Sequence, residues 1–324
     1  MLVKVSKKLR EHTVVRIFVI SMLLLGSLRG FVQASEVSQE MLNLPITLLS
    51  GQTVTLSQFK GKKPVYLKFW ATWCQPCRKE MPHLQHTFEK YGNKVQVIAI
   101  NLGVNDDLQS VKAMQREFGL SMPMTIDKTG QLSKAFNLIG TPYHVLLDKY
   151  ANVIHKGHEA ATELDEKIKL VAADKPVTST EAPLEVVSGA PVNLDGISGQ
   201  TTALFFVSTW CDWYLKDSRP SISENCVRAQ NEVNNLYAKY PQINWIGVAS
   251  RLWTGEAELA EYKKKFNIQH PLTIDTTNNV FFNYGVKNFP TLILMNKGKE
   301  VLRTQRIDSK ELSAKLRQFD HSLK

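Results

Sequence analysis

The sequence predicts an α/β fold made of two consecutive units with one layout, each a central mixed sheet flanked by helices. Three observations predict it. First, the chain repeats itself. Pro45-Ile46-Thr47-Leu48-Leu49-Ser50-Gly51 returns as Pro183-Leu184-Glu185-Val186-Val187-Ser188-Gly189, 138 residues later. The run VYLKFWATWC at 65–74 returns as TALFFVSTWC at 202–211, offset 137, whereas Thr125-Ile126-Asp127 and Pro142 return as Thr273-Ile274-Asp275 and Pro290, offset 148. The second copy therefore carries about eleven extra residues between its Cys and its Asp. Second, the hydrophobic period switches between strand and helix values along each copy. Third, 324 residues at 43 % hydrophobic content are enough for two domains with ordinary cores.

The elements follow in order. Residues 65–71 are a compact β-branched and aromatic run, hence a strand. Residues 77–90 set Met81, Leu84 and Phe88 at helical spacing; 95–102 is an apolar strand; 108–118 returns to helical spacing through Leu108, Val111, Met114 and Phe118. A short strand at 124–127 and a short helix at 132–136 come next. Strands at 143–148 and 152–158 form a hairpin around Lys149-Tyr150-Ala151, and a helix at 163–172 closes the unit. The second copy repeats this order, with a helix at 227–238 and final strands at 291–296 and 300–306 around Lys297-Gly298. A Pro/Thr/Ser stretch between the copies reads as a linker, so the expected domains are 35–172 and 184–324, joined by 173–183.

Residues 1–34 read as an address. A basic segment to Arg16, the apolar run IFVISMLLL at 17–25 and the small residues of Val32-Gln33-Ala34 have the order of a secretory signal peptide, with cleavage expected after Ala34. A bilayer span needs about 20 apolar residues, and Arg16 and Arg29 bracket far fewer. The mature chain is expected to be periplasmic or otherwise extracytoplasmic, where thiols can be oxidised. No Cys lies near the cleavage point, so no lipid anchor is expected. The net charge of +10 shrinks once this segment is set aside: it holds six basic groups and one acid, leaving 34 basic against 29 acidic, or +5. That remainder is spread without a cluster, which disfavours nucleic acid as a partner. Four Cys over this length exclude a disulfide-stapled miniprotein.

The chemistry sits at Cys74-Gln75-Pro76-Cys77, between a predicted strand and a predicted helix. Unsatisfied N–H groups and the macrodipole at a helix N-terminus favour an anion, so a thiolate at Cys74 is stabilised there. Two Cys separated by two residues in a helical turn close a disulfide with little backbone motion. Cys74 is the expected attacking thiol and Cys77 the resolving one, and Pro76 starts the helix without wasting a donor. A zinc site is disfavoured because the first copy offers no second Cys pair and no H-x-x-x-H partner.

FWATWCQPCRKEMP at 69–82, followed by Ile139-Gly140-Thr141-Pro142, resembles the thioredoxin-like proteins of the TlpA/ResA type, which are secreted thiol–disulfide oxidoreductases. The resemblance covers 40–172 well and 183–324 in layout only. It implies two tandem thioredoxin-like domains, a reducing activity on disulfides of other exported proteins, a membrane thiol donor and no cofactor. It also implies a cis bond before Pro142 and a substrate strand paired with the backbone of Thr141 near Cys74; Trp73, Pro76, Lys68 and Glu80 are read as supporting residues beside them. Two departures stand out. Thioredoxins place an Asp six residues before the first Cys; here it is Lys68, read either as a stem threading along the sheet to solvent or as a partly buried cation that lowers a Cys pKa. The ResA-like subgroup carries a Glu after the Gly of a segment like Asn101-Leu102-Gly103; here it is Val104, so acid–base assistance falls to Glu80, Asp106 or water.

His83 and His86 follow Cys77 on the same helix. With Cys74 they suggest copper handling as a minor alternative, but they read better as surface groups, and His144 as a strand residue at the site rim. No metal is expected. In the second copy Tyr214 stands where Cys77 would be, and the next Cys is Cys226, expected in the inserted stretch before the helix. A structural Cys211–Cys226 disulfide, a displaced redox pair and two free thiols all fit. Phe289 replaces Thr141 before Pro290. Trp210, Trp213, Tyr214 and Phe289 make either an apolar docking face or core. The rival to the reductase is therefore a binding, chaperone-like or isomerase-like protein whose second domain docks the partner, although no segment marks a dimer interface.

Overall fold

The runs at 65–71 and 202–208 each become the middle strand of a five-stranded sheet. The computed structural model describes residues 37–177 and 199–319. The expected signal segment lies outside them, as does all of the expected linker after residue 177.

A short helix α1 (Gln39–Leu42) and a two-stranded ribbon, β1 (Ile46–Thr47) with β2 (Thr53–Val54), precede the first sheet. Then follow β3 (Val65–Trp70), α2 (Gln75–Tyr91), β4 (Gln96–Asn101), α3 (Leu108–Glu117), β5 (Met124–Ile126), α4 (Gln131–Ala135), β6 (Tyr143–Leu147), β7 (Val153–Gly157) and α5 (Thr162–Ala172). The strand order is β5-β4-β3-β6-β7. β3 runs parallel to β4 and antiparallel to β6. Every residue of β3 is buried, as a central strand covered on both faces requires. Asp107 caps α3 by accepting from the Ser110 N–H, which fixes where the helix begins.

The second lobe repeats the plan with β8 (Thr201–Val207), α6 (Cys211–Tyr214), α7 (Pro220–Lys239), β9 (Asn244–Ser250), α8 (Glu256–Lys265), β10 (Leu272–Asp275), α9 (Asn279–Asn283), β11 (Thr291–Asn296), β12 (Lys299–Thr304) and α10 (Lys310–Phe319). Its order, β10-β9-β8-β11-β12, matches the first sheet strand for strand. The protein is thus α/β with two thioredoxin-like lobes, each a mixed sheet flanked by helices.

One expectation about this lobe fails. The helix expected at 227–238 starts at Pro220, so Cys226 lies on the helix and not in a stretch before it. The added turns bury only Ser223 and Cys226, too few and too small to show an apolar helical spacing. Pro220 opens the helix because its missing N–H would be unpaired at that position anyway.

The two lobes share a core. One apolar cluster contains Leu67, Phe69, Trp73 and Ile100 of the first lobe and continues into Trp210, Cys211, Phe281 and Phe289 of the second. The far side of the second sheet has its own cluster around Phe205, Trp245, Leu292 and Leu312.

Candidate functional site

The first lobe's candidate site is built at the junction of β3 and α2. Cys74 is the N-cap of α2 in an extended conformation, and its Sγ accepts from the Cys77 N–H at 3.2 Å. The two Cys are joined in a disulfide, with their Cα atoms 5.2 Å apart. Pro76 occupies the first turn of the helix, exposed beside Gln75. The Thr141-Pro142 bond is cis, and both residues are buried. Trp73 is fixed by an indole hydrogen bond to the Val104 carbonyl at 2.7 Å, so the residue standing in place of the family's Glu serves through its backbone.

A buried polar network lies in the fold beneath the helix. On a strand alternate residues share a face, so Tyr66 and Lys68 point the same way. The antiparallel register sets His144 directly opposite Lys68. Glu80, one turn past Cys77 on α2, closes over them. Lys68 Nζ donates to Glu80 Oε2 at 2.5 Å; His144 Nε2 lies 3.2 Å from the same oxygen; Tyr66 Oη lies 2.7 Å from His144 Nδ1. The Ala160 N–H donates to Glu80 Oε1 at 3.0 Å. Burial would raise the Glu80 pKa, but the His144 hydrogen bond and the Lys68 ammonium outweigh it and hold the carboxyl at about 2. Burial lowers the Lys68 and His144 pKa values and raises that of Tyr66. A neutral His144 donating from Nε2 to the carboxylate and accepting the Tyr66 proton at Nδ1 satisfies every group.

Two expectations are corrected here. Lys68 does not thread to solvent: it is fully buried, because α2 covers that face of the sheet and supplies a carboxylate within reach. His144 is likewise fully buried inside this network and not at the rim.

Asp106 is committed elsewhere. It accepts from the Thr72 N–H at 2.8 Å, from Asn101 Nδ2 at 2.7 Å and from the Thr72 hydroxyl, while burial raises its pKa. It anchors the turn that delivers Cys74. His83 faces Asp165 at 2.9 Å. Among the described residues no group of three or more His, Cys, Asp or Glu side chains converges to hold a metal, so the copper alternative gains no ligand set.

In the second lobe Cys211 and Cys226 are bonded to each other, which removes the free-thiol reading. Trp210 donates to the Leu252 carbonyl at 2.6 Å, the counterpart of the Trp73 bond. The Phe289-Pro290 bond is also cis. Phe289 is buried and meets the Trp210 ring edge-on, whereas Trp213 is 58 % exposed.

The two centres face each other, which the sequence did not reveal. Trp73 and Trp210 lie with ring centroids 4.8 Å apart, and Tyr214 and Trp253 meet Trp73 edge-on. Arg219 donates to Thr72 Oγ1 at 2.5 Å and pairs with Asp106 at 3.2 Å. Nothing in the spacing of Arg219, Trp253 or Lys287 marks them as site residues. They reach the first lobe only because the lobes fold face to face.

The redoxin family profile matches residues 34–171. The thiol-disulfide oxidoreductase ResA of Bacillus thuringiensis is 37 % identical over 139 residues, which is 42 % of this chain and 79 % of that protein. The thioredoxin-like protein YneN of Bacillus subtilis is 34 % identical over 135 residues, 41 % of this chain and 78 % of that protein. Among solved structures, a secreted Mycobacterium tuberculosis disulfide oxidoreductase homologous to E. coli DsbE is 25 % identical, with a TM-score of 0.37, covering 42 % of this chain and 99 % of that one. A Cys-x-x-Cys disulfide at a strand-to-helix junction, beside a cis-Pro loop, together with this degree of identity, places the chain in the ResA-type thioredoxin-like family of thiol–disulfide oxidoreductases.

Proposed function

We propose that the protein is an exported reductant that reduces disulfides in other extracytoplasmic proteins. The Cys77 N–H directed at Cys74 Sγ carries the reading, because that donor and the helix N-terminus stabilise a thiolate on Cys74 once the pair is reduced. The Cys74 thiolate attacks one sulfur of a substrate disulfide, forming a mixed disulfide and expelling a substrate thiolate. Cys77, losing its proton, then attacks Cys74 Sγ; the second substrate thiolate leaves and the Cys74–Cys77 bond forms. Two electrons pass to the substrate, and a membrane thiol donor restores the dithiol. No cofactor is needed, since the cysteines carry the electrons.

In this reading residues 1–34 are the export signal, 35–172 the catalytic domain, 173–183 a linker and 184–324 a second domain without a Cys-x-x-Cys. Among the described residues no helix is long and apolar enough to cross a membrane. Thr141 and Pro142 line the substrate approach. Glu80, paired with Lys68, is the carboxylate nearest in sequence to Cys77.

Trapping tests the proposal. A Cys77→Ser variant cannot resolve the intermediate, so exported substrates accumulate as mixed disulfides on Cys74 and mass spectrometry names them. Absence of trapped proteins, together with no reduction of insulin by the wild type, refutes it.

A further inference from the structure

A substrate disulfide has to reach the sulfur of Cys74. Yet Cys74 and Cys77 are both 0 % exposed, in a pair whose helix turn at Gln75-Pro76 faces outward. The second lobe supplies much of the cover. Gln75, the first helical residue after Cys74, donates its backbone N–H to Tyr214 Oη at 3.2 Å. Trp73, immediately before Cys74, packs against Trp210 and the edges of Tyr214 and Trp253. On the cis-Pro side, the Ile139 carbonyl accepts from the Trp253 N–H at 2.7 Å. The indole presses so closely on Gly140 that a Cβ there would lie 2.1 Å from Trp253 Nε1.

These are backbone groups and faces on both sides of the disulfide. An incoming polypeptide would pair with such groups to bring its own disulfide into line. They are already taken. Polar contacts around the rim hold the arrangement. Arg219 bonds to Thr72 and Asp106, the Asn105 N–H donates to the Lys287 carbonyl at 3.0 Å, and the Phe289 N–H donates to Asn105 Oδ1 at 3.0 Å. The groups named here on the second lobe's side come from around that lobe's own degenerate centre: the segment from Trp210 to Arg219, the loop after β9 and the loop before Pro290. Tyr214, standing where a resolving Cys would be, has become a contact residue for the first lobe.

We propose that the partner fitted to the first lobe's substrate face is the second lobe of the same chain. It acts as a tethered competitor that keeps the Cys74–Cys77 centre closed, and exchange with protein substrates requires the lobes to part. The inference rests on the oxidoreductase reading above. It assigns the second lobe a role in controlling access, not in electron transfer.

The test uses the full-length protein. An Arg219→Ala/Trp253→Ala variant loses one rim contact and the wedge against Gly140. In the reduced protein, alkylation of Cys74 by iodoacetamide, followed by peptide mass spectrometry, reads access directly; insulin reduction reads turnover. The expected result is that both accelerate, by about tenfold if the open form becomes about tenfold more populated. Circular dichroism checks the fold, and Tyr214→Phe, which removes only the hydroxyl bonded to Gln75, gives a milder second variant with the same expected direction. Alkylation at the wild-type rate in folded variants overturns the proposal. So does slower insulin reduction with unchanged alkylation, because Arg219 and Trp253 would then be substrate contacts. Faster alkylation with no insulin reduction by any form leaves the closure standing and refutes the reductase reading instead.

Discussion

Glu80→Gln is expected to destabilise the protein more than Lys68→Met, although the two residues form one pair. The reason is asymmetry in their surroundings. Glu80 keeps three partners besides solvent: Lys68, His144 and the Ala160 N–H. Its side chain is 18 % exposed. Lys68 is 1 % exposed and, among the described residues, its ammonium meets only Glu80. The difference between an ordinary carboxyl at 4.5 and one held at about 2 converts to about 3 kcal/mol, at about 1.4 kcal/mol per pH unit. Solvent reaching the carboxylate reduces this to ~2 kcal/mol. Lys68→Met forfeits part of that and also removes a buried cation, so its net cost is ~1–2 kcal/mol at pH 7. Glu80→Gln leaves the ammonium buried without an anion, a loss of about 3 kcal/mol or more. Lys68→Met/Glu80→Gln should be more stable than Glu80→Gln alone. Because the folded carboxyl titrates below the unfolded one, the wild type keeps this stabilisation above pH 4.5 and loses it as pH falls toward about 2; both Glu80 variants lack that loss. Urea unfolding of the oxidised proteins at pH 7 and across the acid range measures all four. Lys68→Met costing more than Glu80→Gln, or a double variant no better than Glu80→Gln, would refute the reasoning.

Further outcomes follow from the same contacts. Leu67→Ala, at a fully buried position in the central strand, should cost about 2–5 kcal/mol in unfolding experiments. Asp106→Ala leaves the Thr72 N–H and Asn101 without their acceptor; a loss of about 2 kcal/mol in urea unfolding is expected from the unmade bonds. Cys211→Ser/Cys226→Ser opens a link across a sequence separation of 15 and should lower stability by about 3 kcal/mol, with the Cys74–Cys77 disulfide still forming by mass analysis. Gly140→Ala, whose new methyl has no room beside Trp253, should shift tryptophan fluorescence while the far-ultraviolet circular dichroism stays unchanged.

The sequence by itself determined the architecture and the redox pair. Strand and helix periods alternate strongly enough to order the elements of the first lobe from β3 onward, though not α1 or the short β1–β2 ribbon, and the repeated VYLKFWATWC and TALFFVSTWC runs mark both central strands. Cys74 and Cys77 were legible because a Cys-x-x-Cys at a strand-to-helix junction has few other physical uses. The start of α7 was not legible: Ser223 and Cys226 are the buried residues of its added turns, and they give no run of large apolar side chains, so the period that reveals a helix face is missing there. Tertiary structure alone decided the fate of Lys68 and His144. Whether a Lys in a strand reaches water depends on what covers that face of the sheet, and the covering carboxylate, Glu80, belongs to a different element, brought in by the β3–α2 crossover. The closure of the site was likewise a tertiary decision. Trp73, Tyr214 and Trp253 are separated by 141 and 39 residues along the chain, and no local pattern relates them. Only the packing of one lobe's centre against the other makes them neighbours, burying aromatic surface that each lobe alone would leave in water.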